Sequence, residues 1–406
     1  MERLALYVNL SLGLCGIRKE IFMRWRKFIL CTVVALLASC SSESASKPDE
    51  AGENNEISSA EDLVSSEFLE YSSSSFTEES SSSLFVHHPG FDPCRFNFGA
   101  GWQSAHEDSA FYAGLDYISV WLGDNDFFNA FEARMFDVTR QINATPMIYA
   151  YVIAEFGKDH GLVDCDTKKD GAFVTPNHCT DGAELIRNYF QDSILYRYRE
   201  YASGFREHIE FVAGQDPDTV QFIWLIEPDF YQYSESGSAQ AEKAGNHGGF
   251  AQNGGGIPDS MMGVYFSQIV DTIKAYLPAS KIAIDISPWV LDQEAWYSNF
   301  DLSKVDFAST SGGRTAASGE KIRAANTATW KGIADLLKRP VLADAGYDAG
   351  GYGTGYNKAW GIVDNLNARI ADGVIGVTQM DPDSLYHVRA SIARSELSPT
   401  VWCKEN

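Results

Sequence analysis

Eight short apolar runs recur between residues 95 and 379, and stretches with helical periodicity separate them. The runs are Arg95–Gly101, Tyr117–Leu122, Pro146–Ile153, Val220–Ile226, Lys281–Ile286, Val305–Ser309, Pro340–Leu342 continuing into Ala343-Asp344, and Val374–Thr378. Most are apolar on both faces rather than alternating, which is the pattern of parallel strands covered on both sides. Helical patterns lie between them at Phe127–Gln141, Ala183–Phe211, Ser260–Leu277, Trp330–Leu337 and Tyr356–Ala371. Strand and helix in alternation predict an α/β chain. Eight such units in about 300 residues predict a single (β/α)8-type barrel, regular or distorted, with an open doubly wound sheet as the alternative.

The chain before this domain reads differently. Arg24, Arg26 and Lys27 form a basic segment, and Phe28–Leu37 is a mostly apolar run of ten residues. That is too short to span a bilayer and suits the core of an export signal. The run closes on Leu37-Ala38-Ser39-Cys40, which resembles the cleavage box of bacterial lipoproteins. The resemblance implies a lipidated Cys40, a membrane contact through lipid alone, and Met23 as a more natural start than Met1. Ser41 after the cysteine leans toward outer-membrane sorting, so the expectation is an exported lipoprotein at the outer membrane or cell surface. Residues 41–83 hold sixteen serines, eleven acidic residues and one lysine. Such a segment buries too little apolar surface to offset its ordering entropy and reads as an extended tether. Residues 84–406 are the expected barrel.

Of the net charge of −23, about −17 falls on residues 84–406. A field of that sign repels nucleic acid and anionic polymers, so a neutral substrate is favoured. Four cysteines follow Cys40, namely Cys94, Cys165, Cys179 and Cys403. In an exported chain an even number favours disulfides. Cys165–Cys179 would close a local loop and Cys94–Cys403 would join the ends of the domain, among three possible connectivities. A Cys/His metal site is the other use for such residues, since His178 adjoins Cys179. The expectation is no metal and no cofactor: the glycines of Ser234–Pro258 are not followed by the Gly-Lys-Ser/Thr of a phosphate loop. That Gly-rich stretch reads either as a lid or as a disordered insertion. A monomer is expected.

Several strands end in a carboxylate: Asp124, Asp229, Asp285, Asp344 and Asp381. The fourth run is the most pointed, because Ile223-Trp224-Leu225-Ile226 leads directly into Glu227-Pro228-Asp229. The strand ends of a barrel converge on one mouth, where clustered carboxylates raise one another's pKa. That prepares an acid and a base near neutral pH. Trp102, Trp121, Trp289 and Trp296 fall near the same ends. Their flat faces suit the apolar faces of sugar rings, although each singly reads slightly better as core.

Ile226-Glu227-Pro228-Asp229 resembles the strand end I-E-P-D of family 6 glycoside hydrolases, which act on cellulose. Leu162-Val163-Asp164-Cys165, Ile284-Asp285 with Trp289, Ala308-Ser309-Thr310, Ala343-Asp344-Ala345-Gly346 and Trp121-Leu122-Gly123-Asp124 resemble further segments of that family, in the same order. The resemblance implies a polysaccharide substrate and hydrolysis with inversion. It implies Asp229 as general acid, Asp344 as the base that helps to activate water, and Asp164 as the residue that supports the acid, with Asp159 as its competitor. Cys165 takes the family's disulfide position. It leaves Trp102, Trp121, Asp124, Asp285, Trp289 and Trp296 for substrate binding and Glu227 for holding the site together. The chain departs from the family where Tyr347 stands in place of an arginine and Gln379–Asp383 in place of K-P-x-G-E. Two rival expectations stand beside this one. One is a retaining barrel glycosidase that uses Glu227 as acid/base. The other is a surface lipoprotein that binds polysaccharide without cleaving it.

Overall fold

A computed structural model describes residues 90–403, apart from 104–105, 123–126, 166, 245–249, 252–254, 313–314, 324–326 and 347–356. The expected leader, Cys40, the tether and Asp124 therefore lie outside the described residues.

Eight parallel strands close into a barrel: β1 (Asn97–Gly101), β2 (Tyr117–Leu122), β3 (Thr145–Ala150), β4 (Ile223–Ile226), β5 (Lys281–Asp285), β6 (Phe307–Ser309), β7 (Val341–Asp344) and β8 (Val374–Gln379). Each pairs with its sequence neighbours, and β8 returns to β1 with Asn97 opposite Gly376, which leaves no free edge. This is the predicted (β/α)8 architecture, and the open sheet is excluded. The apolar runs become strands because each can bury both faces. One face fills the lumen, where Tyr117, Met147, Tyr149, Ile223, Leu225, Ala283, Phe307, Leu342 and Ile375 form a closed cluster. The other face packs under the helices, where Phe222 and Trp224 meet Phe205. Burial of one such side chain contributes about 2–3 kcal/mol.

The two ends of the barrel differ. At the end where the strands begin, Phe91 packs edge-on against Tyr117 and Phe307. Trp402 donates its indole N–H to Gly373 O at 2.9 Å, and Cys94 and Cys403 are bridged beside it. Both chain ends of the domain thus plug the same face. The opposite face stays free for the loops that follow the strands.

The helices are α1 (Ala130–Gln141), α2 (Val152–Asp159), α3 (His178–Tyr189), α4 (Leu195–Glu207), α5 (Glu235–Ala244), α6 (Asp259–Tyr276), α7 (Gln293–Tyr297), α8 (Trp330–Leu337), α9 (Val363–Ala371) and α10 (Tyr386–Arg394). Four elements depart from the sequence reading, one of them the helix expected over Tyr356–Ala371, where α9 begins only at Val363. The third strand stops at Ala150, and Val152 and Ile153 open α2 instead of extending the sheet. The single long helix expected over Ala183–Phe211 begins earlier, at His178, and is broken into α3 and α4 by a π turn at Phe190–Ile194, with a second at His208–Val212. The Gly-rich stretch after Asp229 is in part α5 rather than wholly a loop.

Candidate active site

The site gathers where β4, β5 and β7 end. β4 stops at Ile226, and Glu227 takes a positive φ of 39° while its N–H still bonds Ala150 O at 3.0 Å. A side chain in that region carries a steric cost that surrounding contacts must offset. Here the offset is visible: the Glu227 carboxylate accepts the Ile153 N–H at 3.1 Å and the Tyr198 hydroxyl at 2.6 Å. It is fully buried, and that burial pushes its carboxyl up to about 8, against those two hydrogen bonds. Glu227 therefore ties β4 to the start of α2 and to α4. The strand does not continue past Ile226, and the backbone turns at Glu227 before it reaches Asp229.

Asp229 meets a different set of groups. The Tyr151 hydroxyl donates to its Oδ2 and the Gln232 amide to its Oδ1. Burial raises the Asp229 pKa, while His178 and these two donors lower it and Asp164 raises it. His178 is fully buried, with Nδ1 3.3 Å from the Tyr233 hydroxyl and Nε2 3.4 Å from Asp164 Oδ1. The hydrogen bond with His178 holds the Asp164 carboxyl below its ordinary value. Local sequence sets this arrangement. Asn177 caps α3 by accepting the N–H groups of Cys179 and Thr180, and the His178 N–H bonds Val163 O at 3.0 Å. That pins the loop carrying Asp164 and Cys165 against the helix start, where Cys165 is bridged to Cys179. Asp159, the competitor of Asp164, instead pairs with Arg197.

Asp344, the last residue of β7, is fully buried at the top of the lumen. It accepts the Gly346 N–H at 2.7 Å and the Gly312 N–H at 3.3 Å, and Tyr149 bonds it from β3. Burial raises its carboxyl to about 6, against these donors and the nearby Arg323. Asp285 ends β5, with Oδ1 accepting the Ser311 hydroxyl at 2.8 Å and Oδ2 buried without a hydrogen-bond partner. Its pKa is well above the usual carboxylate range through burial, and both Asp229 and Asp344 add to the rise. Three carboxyls from three strand ends thus sense one field. Arg323 is buried beside Asp285 and Asp344 and donates to Ser311 O and Gly312 O at 2.9 Å.

The four tryptophans separate into two kinds. Trp121 is partly exposed and stacks on Tyr149, with centroids 4.8 Å apart, at the end of β2. Trp289 is 44 % exposed and meets Phe250 edge-on. Trp102 is buried against Tyr112, and Trp296 is buried between Tyr231 and Phe300. These two are core, which corrects their assignment to substrate binding. Tyr151, Gln232 and Arg323 belong to the site and were not among the sequence candidates, and His178 entered the sequence reading only beside Cys179, in the Cys/His metal alternative. Gln232 sits one short turn after Asp229, so its spacing was legible. The others arrive from distant segments.

No protein-family model and no curated protein matches the sequence. Solved structures overlap it in part. A ruminal GH26 endo-β-1,4-mannanase matches at 12 % identity and a TM-score of 0.42, over 75 % of this chain and 62 % of that one. The chain therefore spans less than two thirds of that enzyme's length. The Bacillus subtilis mannanase BCman matches at 11 % identity and a TM-score of 0.44, over 79 % and 92 %. Old Yellow Enzyme from Pichia sp. AKU4542 matches at 11 % identity and a TM-score of 0.37, over 73 % and 78 %. Overlaps this partial leave the barrel to rest on its own strand pairing.

Proposed function

We propose that the domain is a glycoside hydrolase that cleaves a neutral β-1,4-glucan such as cellulose with inversion. The observation that carries the proposal is that two carboxyls, one after β4 and one at the end of β7, are both raised by burial and both act on Asp285. Asp229 is steadied by Tyr151 and Gln232, and Asp344 sits near 6. The I-E-P-D resemblance assigns them complementary roles. The Asp229 carboxyl gives its proton to the leaving glycosidic oxygen. The Asp344 carboxylate takes a proton from the water that attacks the anomeric carbon from the opposite face. Asp164, ionised and partly exposed, offsets positive charge that develops on the ring. Trp121 and Trp289 offer flat faces to successive sugar rings. In the same proposal, the leader, Cys40 and the tether hold the domain at the bacterial surface, within reach of an insoluble polymer.

The test is Asp229→Asn, assayed on soluble cellulose, mixed-linkage glucan, xylan and mannan, with product stereochemistry followed by NMR in early turnover. Loss of hydrolysis by about a hundredfold or more is expected. Undiminished hydrolysis by the variant would sink the assignment. A wild-type domain that binds glucan and releases no sugar would favour the binding-only reading.

A further inference from the structure

We propose that reduction of the Cys165–Cys179 bridge opens a Zn2+ site formed by Cys165, Cys179, His178 and Asp229. One donor atom from each of the four lies within 4.8 Å of the others. Cys165 Sγ is 3.2 Å from His178 Nδ1 and 3.9 Å from Asp229 Oδ2, and Cys179 Sγ is 3.9 Å from Nδ1. Tetrahedral zinc, with Zn–S of about 2.3 Å and Zn–N or Zn–O of about 2.0–2.2 Å, places such donors about 3.5–3.8 Å apart. These three separations bracket that value, so the site forms once the S–S bond is broken, the two sulfurs spread apart and the side chains close on the ion.

The surroundings suit the ion as well as the ligands do. Two thiolates, an imidazole and a carboxylate form a borderline-soft set that selects zinc over magnesium or calcium. Three of the four residues are buried, and Asp229 is partly exposed, which gives the ion an entry path from the mouth. Whichever ring nitrogen binds, the other keeps a partner already in place. Asp164 Oδ1 lies 3.4 Å from Nε2 and the Tyr233 hydroxyl lies 3.3 Å from Nδ1. The Tyr151 hydroxyl holds the Asp229 carboxylate. Such outer partners orient metal ligands in proteins generally. The cap from Asn177 fixes His178 and Cys179 in the first turn of α3 before any metal arrives.

The chemistry balances. A dithiol reductant gives two electrons and two protons to the S–S bond and itself closes to a disulfide, leaving two thiols. Zinc then displaces both thiol protons to solvent. Metal on Asp229 would also remove the proposed acid. That consequence rests on the preceding functional reading, whereas the metal site does not.

The experiment counts zinc in the full chain after reduction with a water-soluble phosphine, which does not compete for metal as a dithiol does, followed by dialysis and elemental analysis. The expected result is about one more zinc per chain in the reduced wild type than in the oxidised wild type. The same excess is expected over a reduced double variant, Cys165→Ser with Cys179→Ser, so that the other cysteines cancel. His178→Gln should weaken zinc at least about tenfold in competition with a chromophoric chelator. Equal counts in the reduced wild type and the double variant overturn the proposal, whether or not the reduced chain stays folded. So does an equal count in the oxidised protein.

Discussion

Glu227→Gln separates a structural carboxyl from a catalytic one by its effect on stability against pH. The wild-type group rises from an ordinary 4.5 to about 8 because it is buried under α2 and α4. The native chain therefore keeps a proton that the unfolded chain gives up, so stability is lost as pH rises from 4.5 toward 8 and is intact below that window. At about 1.4 kcal/mol per pH unit, the cost is on the order of 1 kcal/mol near pH 5 and on the order of 4 kcal/mol near pH 8. Glutamine is neutral throughout and its oxygen can still accept the Ile153 N–H and the Tyr198 hydroxyl. The assay is urea unfolding of both proteins at the two pH values. The variant should gain on the wild type by about 3 kcal/mol between them. A gap that stays flat, or one that moves toward the wild type as pH rises, would show an ionised Glu227 and refute the reasoning.

Tyr198→Phe removes the hydroxyl that satisfies Glu227 and should cost about 1–3 kcal/mol in the same unfolding assay. Activity of the proposed hydrolase should rise with pH through about 6 as Asp344 loses its proton. Arg323→Gln should move that limb of the profile to higher pH, because the guanidinium favours the ionised form; an unmoved limb removes Arg323 from the site. Cys94→Ser opens a bridge that spans 309 positions, and chain entropy alone sets a loss of about 5–6 kcal/mol, read as a lower urea midpoint. Gly263→Ala drives a methyl group from α6 into the Asn299 carbonyl, and a loss of about 1–3 kcal/mol in urea unfolding is expected.

The carboxylate positions were legible because a barrel delivers every strand end to one mouth, so Asp229, Asp285 and Asp344 could be named from the runs that precede them. Their division of labour was less so. Glu227 and Asp229 stand two residues apart after a buried strand, and in the sequence only the I-E-P-D resemblance tells them apart. The positive φ at Glu227 sends its carboxylate to Ile153 and Tyr198, while Asp229 meets Tyr151 and Gln232. Residue type does not announce such a turn, because glutamate rarely adopts it and neighbouring contacts impose it. The tryptophans show the same limit. All four fall near strand ends, and only packing against Tyr112 or between Tyr231 and Phe300 marks Trp102 and Trp296 as core.

By itself, the sequence determined the α/β class, the candidate carboxyls at its strand ends and the even set of cysteines after Cys40. These follow from local pattern, since a run apolar on both faces must be covered on both faces. Tertiary structure alone decided which carboxyls look into the lumen, and it brought Arg323 to Asp344 and His178 to the Asp229 loop. It also bridged Cys94 to Cys403 and Cys165 to Cys179 out of three pairings. The physical reason is range: periodicity reports each segment's own burial, whereas the field at a buried carboxyl is set by groups that only the closing of the barrel carries into contact.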